Sequence, residues 1–567
     1  SSDGSLSTSS TTAFNAASAL ASAVTDARGN TVRYSYNTAT RLQTAVTDAK
    51  GNTSQYTYYS ASGMLRLAAI TGSNYSTVDY SYDDYGKLTG ITRPQTAYSF
   101  TYDDWGRTIS TSVGNRVLST NTYDSFGRLS SVTYGNGYKL SYTYDSIDRV
   151  ESITELEMPG LSPSKVYEFV YDGEGNLYEL RNYKTHRSTF FEYDHAGRCM
   201  ASTEKSFTGS GSSIAYGTTV AAYNYKYDAN NRLAKLTHTL AGYTWSTEYS
   251  YDADGRQSLV KLNNGKTIEY AYGTSTGRPD KITLHLDTDY VVDWTYKSGA
   301  NGSATSLLST YANGSDAKYN YDYDANGNIT KIWRGNTSFG NASEKYSYVY
   351  DSANQLVREN LYYGSGNSSN ATITYEYDIW GNLLNKKIYA YTVGTLGTAR
   401  ETVPYAYTNS AWKDQLTSYD GESITYDASG NPTNYLGATL VWEGQRLKSY
   451  TPKAASSGRS NSYVYSYDEN GIRTRKTIGN TVTDYYYNGT LLMGTVKTTT
   501  NSDGSTTTSK LRFSYDANGK VVAVNYNGNY YYYLRNAQSD IVKLIDKTGA
   551  TVVEYAYLNS DLAAVEV

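Results

Sequence analysis

The sequence predicts an all-β protein built from tandem antiparallel β-hairpins, more than half of it strand, with a sheet that curves round a hollow. Three observations lead there. Tyrosine supplies 65 of the 567 residues while proline supplies 7 and methionine 4, and tyrosine suits half-wet pleated surfaces. Stretches with helical period and helix-forming composition are nearly absent. A Tyr-Asp dipeptide with a defined tail recurs along the chain at short steps, which is how a repeat architecture announces itself.

In chain order, decayed copies stand at Tyr36 and Tyr58, and good copies begin with YDDYGKL from Tyr82. YDDWGR follows from Tyr102, YDSFGRL from Tyr123, YDSIDRV from Tyr144, YDGEGNL from Tyr171, YDHAGR from Tyr193, YDANNRL from Tyr227 and YDADGR from Tyr251. The later copies are YDANGNI from Tyr323, YDSANQL from Tyr350, YDIWGNL from Tyr377, YDASGN from Tyr426, YDENGI from Tyr467 and YDANGK from Tyr515, fourteen in all. Adjacent copies step by 20 to 27 residues, and longer gaps hold decayed copies at Tyr272, Tyr296, Tyr407, Trp442, Tyr487 and Tyr533.

Each unit reads as strand, turn, strand. Residues alternate before the aspartate, as in Tyr80-Ser81-Tyr82, which is the period of a strand. The aspartate opens a turn by accepting from the backbone N–H two residues on. A glycine closes it where positive φ is needed. The candidate residues are therefore structural turn residues: Tyr82, Asp83 and Gly86; Tyr102, Asp103 and Gly106; Tyr123, Asp124 and Gly127; Tyr171, Asp172 and Gly175. The set continues with Tyr193, Asp194 and Gly197; Tyr251, Asp252 and Gly255; Tyr323, Asp324 and Gly327; Tyr377, Asp378 and Gly381. It closes with Tyr426, Asp427 and Gly430; Tyr467, Asp468 and Gly471; and Tyr515, Asp516 and Gly519. Where the glycine is missing, Asp148 and Asn231 are expected in the left-handed region instead.

Charge and composition exclude several function classes. Fifty Lys and Arg against 54 Asp and Glu leave −4, so nothing favours nucleic acid as a partner. No run reaches the 18 to 20 apolar residues of a membrane helix, and no membrane insertion is expected. Residues 1–24 are not a signal peptide, and the start on Ser1 suggests a cut fragment. Cys199 is the single cysteine, so it forms no internal disulfide and no cysteine metal cluster.

No catalytic, cofactor or metal site is expected. Asp322-Tyr323-Asp324-Ala325-Asn326-Gly327 opens like a calcium loop, yet position 12 is Trp333, and the turn reading is preferred; Asp252-Ala253-Asp254-Gly255 reads the same way. His186, His195, His238 and His285 lack the spacing of metal ligands, Cys199 reads as a half-buried strand thiol, and Asp83-Asp84 and Asp103-Asp104 as turn caps. Tyr530 to Tyr533, Tyr485 to Tyr487 and Trp105, Trp245, Trp294, Trp333, Trp380, Trp412 and Trp442 are read as cross-strand ladders rather than a glycan platform. Alternation puts Tyr531 and Tyr533 on one face, and that face can be the buried one.

The unit Tyr-Asp-x-x-Gly-Arg/Asn-Leu resembles the YD repeat of Rhs proteins, Tc-toxin cocoon components, wall-associated polymorphic toxins and teneurins, from about Val24 to Tyr557. Leu416 to Leu447 and Tyr530 to Gly549 resemble the approach to an Rhs-associated core. The resemblance implies a spiralling β-sheet shell round a toxic C-terminal domain. It divides the chain into a Ser/Ala/Thr-rich segment 1–23, a repeat shell 24–415, a region 416–557 approaching the core, and a tail 558–567 with core, self-cleavage aspartate and cargo absent.

About forty strands at ~4.8 Å each make one loop of roughly 30 Å radius, enough to girdle a small domain, with more repeats expected upstream. The expected function is a non-catalytic scaffold, secreted or on a bacterial surface, that encapsulates a C-terminal toxin or cargo domain. Secretion-apparatus components and surface glycans are further candidate partners, and a surface adhesin or glycan-binding repeat protein is the alternative. No cofactor is expected. One face is expected to be tyrosine-rich with polar tips, water-accessible and without a discrete pocket of converging ionisable groups.

Overall fold

Alternating tyrosine, serine and threonine stretches form strands, and Asp-to-Gly stretches form the turns between them. The computed structural model of the chain describes residues 10–15, 19–61, 64–72, 76–94, 96–273, 277–299, 303–315, 318–453 and 461–555. The tail at 558–567 and part of segment 1–23 lie outside the described residues. Strand accounts for 61% of the described residues and helix for 1%. The two described helical turns, Gly211–Ser213 and Phe339–Asn341, are single 3-10 turns. No helix among the described residues is long and apolar enough to cross a membrane.

Strands pair antiparallel with their chain neighbours, and a bulge accompanies the motif turn. In the hairpin of Arg116–Tyr123 with Leu129–Tyr134, Tyr123 faces Leu129 but Thr122 faces Ser131, so Ser130 is extruded. Tyr144 with Val150 and Tyr193 with Cys199 show the same offset. Such a bulge increases local right-handed twist.

The chain packs as two units. The first comprises Ser1–Val166, Tyr296–Thr310 and Tyr319–Val464; the second Tyr167–Thr295, Tyr311–Lys318 and Tyr465–Val567. In the first unit the ladder is interrupted at Ile424, between Glu422–Ser423 and Thr425–Tyr426.

Inside each unit, hairpins far apart in sequence abut end to end. In the first, Arg28 Nη1 donates to the Asp324 carbonyl at 2.8 Å, 296 residues on. Ser76 N donates to the Ile379 carbonyl at 3.0 Å. Asn136 Nδ2 donates to Asp427 Oδ2 at 2.9 Å across 291 residues. In the second, Tyr167 Oη donates to the Tyr467 carbonyl at 3.0 Å and Tyr311 Oη to that of Arg535 at 2.6 Å. The expected single loop is thereby corrected: later hairpins lie against earlier ones, with motif turns of the later row seated on the opposite turns of the earlier row. No local pattern reports this, because period and turn chemistry specify neighbours only.

In the second unit the packed rows bury Trp245, Tyr532, Phe207, Leu240, Leu262 and Met493 almost completely. Alternation alone left open which face of the Tyr530–Tyr533 run is covered. Tyr532 and Leu534 are the buried pair, while Tyr531 and Tyr533 are half-buried, because the far row packs on the other face.

Candidate functional site

The motif aspartate organises its turn through both carboxylate oxygens. Asp103 N donates to the Arg107 carbonyl at 3.0 Å, and Gly106 N to the Asp103 carbonyl at 2.8 Å. Asp103 Oδ1 accepts from the backbone N of Trp105 at 3.1 Å and of Arg107 at 2.8 Å. Asp103 Oδ2 takes the Arg107 guanidinium through Nε and Nη2, both at 2.6 Å. Asp124, Asp145, Asp194, Asp228 and Asp252 repeat the arrangement with Arg128, Arg149, Arg198, Arg232 and Arg256. Where asparagine follows the glycine, its Nδ2 reaches the same oxygen, as from Asn328 to Asp324 at 3.0 Å and from Asn382 to Asp378 at 2.9 Å.

The turn geometry follows at every motif glycine named above, with φ from 75° at Gly197 to 94° at Gly175, and Asp148 and Asn231 stand at 68° and 65°. At Gly106, φ is 79° and a Cβ would lie 1.8 Å from Lys87 Nζ, so a side chain there would be strained and would have to displace that lysine. The Arg198 side chain first, and its backbone N–H second, hold Asp194 below the usual carboxylate range; at Asp228 the backbone N–H of Arg232 leads. Sequence reasoning missed this clasp. Its signal was present, since Arg or Asn follows the fifth motif position in ten of the fourteen copies.

The motif tyrosine links neighbouring copies. Tyr123 Oη donates to the Thr108 carbonyl at 2.9 Å, Tyr102 to Leu88 at 2.7 Å, Tyr144 to Leu129 at 2.8 Å, Tyr193 to Leu177 at 3.0 Å and Tyr251 to Leu233 at 2.8 Å. Each acceptor directly follows the basic or amide residue of the preceding copy. That residue also packs on the tyrosine ring: Arg107 lies 4.3 Å from the centroid of Tyr123, Arg128 4.5 Å from Tyr144 and Arg232 4.3 Å from Tyr251. Aspartate, guanidinium, ring and carbonyl thus form one connected link per repeat. The hydroxyls of these tyrosines are bonded within the wall, so they are not among the polar tips expected to meet a cargo.

At the turn tips of the earlier row, Tyr85, Trp105, Phe126 and Ile147 are exposed, Tyr85 to 83%. Arg107 lies between the rings of Trp105 and Tyr123, and Arg128 between Phe126 and Tyr144. Several other tryptophans pack against aromatic or tyrosine neighbours. Trp245 stacks on His238 with centroids 4.8 Å apart, Trp294 meets Tyr311 edge-on, and Trp412 Nε1 donates to Tyr98 Oη at 3.0 Å.

A cavity of about 410 Å³ lies in the second unit where hairpins near Asn182–Tyr225 meet those near Asp468–Gly489. Arg187 lines it, 2.8 Å from Glu204 Oε1 and 3.1 Å from Asp484 Oδ2, with Tyr486 Oη at 3.1 Å. Cys199, Asp468 and Glu469 line it as well. The expectation of a wall without such a pocket is corrected, and row-on-row packing is the cause. Chemically the cluster is a neutralising one: Arg187 is held between two carboxylates, and burial pushes the Cys199 thiol up, away from the reactive thiolate.

The remaining polar residues stay dispersed. His186 sits at φ 53° in a turn and His195 within the Asp194 turn. Burial pushes His238 down to about 3. His285 lies 3.0 Å from Asp289 Oδ1 and 3.2 Å from Glu269 Oε2 on the surface. Asp322 Oδ1 accepts from Lys297 Nζ at 2.8 Å. Among the described residues no group of three or more His, Cys, Asp or Glu is arranged to hold a metal ion.

The family models that match are described as Teneurin YD-shell, over residues 95–182, and RHS Repeat, over residues 15–53. Crystal structures of TcdB2-TccC3 and of TcdB2-TccC3-Cdc42 align over 97% of this chain with TM-score 0.65 and 16% identity. The chain carries Rhs/YD repeats. The YD-repeat chain covers 31% and 30% of those two structures' chains, and at that identity the likeness concerns fold. Its curated relatives include the tRNA3(Ser)-specific nuclease WapA of Bacillus spizizenii, 28% identical over 279 residues, 43% of this chain and 11% of that protein. The tRNA(Glu)-specific nuclease WapA of Bacillus subtilis subsp. natto is 33% identical over 145 residues, 25% of this chain and 6% of that protein. The YD-repeat chain therefore spans about a tenth or less of the curated relatives it matches.

Proposed function

We propose that this chain is a non-catalytic wall segment of a toxin-associated β-shell, which sequesters a C-terminal toxin or cargo domain until delivery. The observation that carries the reading is the link between Asp103, Arg107, Tyr123 and Thr108 and its counterparts. The side chains that could supply acid, base or cation are spent joining one hairpin to the next. One solved structure sharing the fold is that of the Photorhabdus luminescens Tc holotoxin pore, and the curated relatives are nucleases by name. On this reading any nuclease-like activity belongs to a domain outside the matched segment, residues 24–415 and 416–557 are wall, and the protein acts outside the bacterial cell or on its wall.

Limited proteolysis of the full-length gene product tests this. The domain after the repeats should resist protease while the wall is intact and become sensitive when the wall is unfolded. A following domain cut at the same rate in both states overturns the reading.

A surface glycan-binding role is the second reading, favoured by the exposed aromatic tips Tyr85, Trp105 and Phe126. Retention of the chain on a polysaccharide, lost on Trp105→Ala, would support it over the shell.

A further inference from the structure

Strand register in the second unit aligns Gly494, Arg512, Asn525 and Tyr530: Gly494 faces Arg512, Arg512 faces Asn525, and Asn525 faces Tyr530. Directly opposed residues share one sheet face. On that face Arg512 is 7% exposed and Asn525 1%. The ring of Tyr243, at the tip of a hairpin from the earlier row, covers the guanidinium with its centroid 4.3 Å away.

Arg512 is unlike the other deeply buried arginine of this unit. Arg187 lies between Glu204 and Asp484. Arg512 has no ion pair among the described residues; its contact with Asn525 Oδ1, at 3.5 Å, is at the limit of a hydrogen bond. Arg512 Nε and Asn525 Nδ2 are buried donors without a protein acceptor. A guanidinium keeps its proton at any relevant pH, so it cannot escape burial by neutralising itself. An unpaired buried charge is costly, and an aromatic face offsets only part of that. Position 494 offers no room for a compensating side chain, because a Cβ there would come 2.5 Å from Leu240 Cδ2 and 2.7 Å from the Leu511 carbonyl.

We propose that Arg512 and Asn525 form a buried site for a small monovalent anion, with chloride as the physiological occupant. The donors carry a single positive charge, which a monovalent ion balances and a phosphate or sulfate dianion would over-compensate. The site would staple the strand pairs Thr506–Tyr515 and Val521–Tyr526 beneath the Tyr243 hairpin.

The test is thermal unfolding of the full chain at fixed ionic strength while sodium gluconate is replaced by sodium chloride or bromide. A saturable rise of about 2 °C or more in midpoint is expected with either halide, by preferential binding to the folded state. Arg512→Met should remove the response. Equal midpoints in gluconate and halide, or a response retained in Arg512→Met, overturn the proposal. Should the variant fail to fold, crystals of the unsubstituted chain grown in bromide decide. Anomalous scattering within hydrogen-bond distance of Arg512 Nε supports the site, and water alone at that position overturns it.

Discussion

The hydroxyl of Tyr123 donates to the backbone carbonyl of Thr108 at 2.9 Å, fifteen residues back and one hairpin away. The bond fastens one repeat to its predecessor beyond the backbone ladder, and Arg107, held by Asp103, packs on the same ring. It explains why the motif begins with tyrosine rather than phenylalanine, which would supply the ring without the donor.

Tyr123→Phe should therefore cost about 1 kcal/mol, the usual net contribution of such a bond. The loss should be local. Amide hydrogen exchange should quicken in Thr108–Val113 and Arg116–Tyr123, with little change in the strands of the second unit.

Substitutions of the motif aspartate should rank by what they leave behind. Asp124→Asn keeps an oxygen for the backbone N–H groups of Phe126 and Arg128 but loses the charged clasp. Asp124→Ala loses both. Urea unfolding should place Ala below Asn and Asn below the unsubstituted chain.

Glycine replacements should separate strain from collision. Gly197→Val faces open space at φ 75°, so only backbone strain of about 1–2 kcal/mol is expected. Gly106→Val carries similar strain and must also displace Lys87, whose Nζ donates to the Gly106 carbonyl at 2.6 Å. Thermal midpoints should fall further for Gly106→Val.

His238 sets a pH dependence. Burial lowers it from 6.5 to about 3, so between those values the unfolded chain binds a proton that the folded chain does not. Stability then falls as pH drops below about 6.5, by about 1.4 kcal/mol per pH unit for this one group. Burial raises Glu359 and Asp516, which act in the opposite sense: their contribution is present at low pH and lost as pH rises through their folded values. The decisive quantity is thus the difference in slope between the unsubstituted chain and His238→Phe. A slope unchanged by His238→Phe would remove the assignment.

The sequence by itself determined the hairpin, the turn and their repetition. These rest on contacts within five or six residues: alternation makes the strand, aspartate caps the turn, and glycine supplies the positive φ seen at Gly86 and Gly519. Even the Asp103–Arg107 clasp was legible in the regular sixth position of the motif, although its role emerged only from the coordinates. Tertiary structure alone decided which hairpins meet across about 300 residues. It paired Asn136 with Asp427, closed Arg187 between Glu204 and Asp484, and buried Tyr532 rather than Tyr531 and Tyr533. Those contacts depend on small twists accumulated over many strands. A two-residue period records which side of its own strand a residue takes, but not which distant row arrives to cover it.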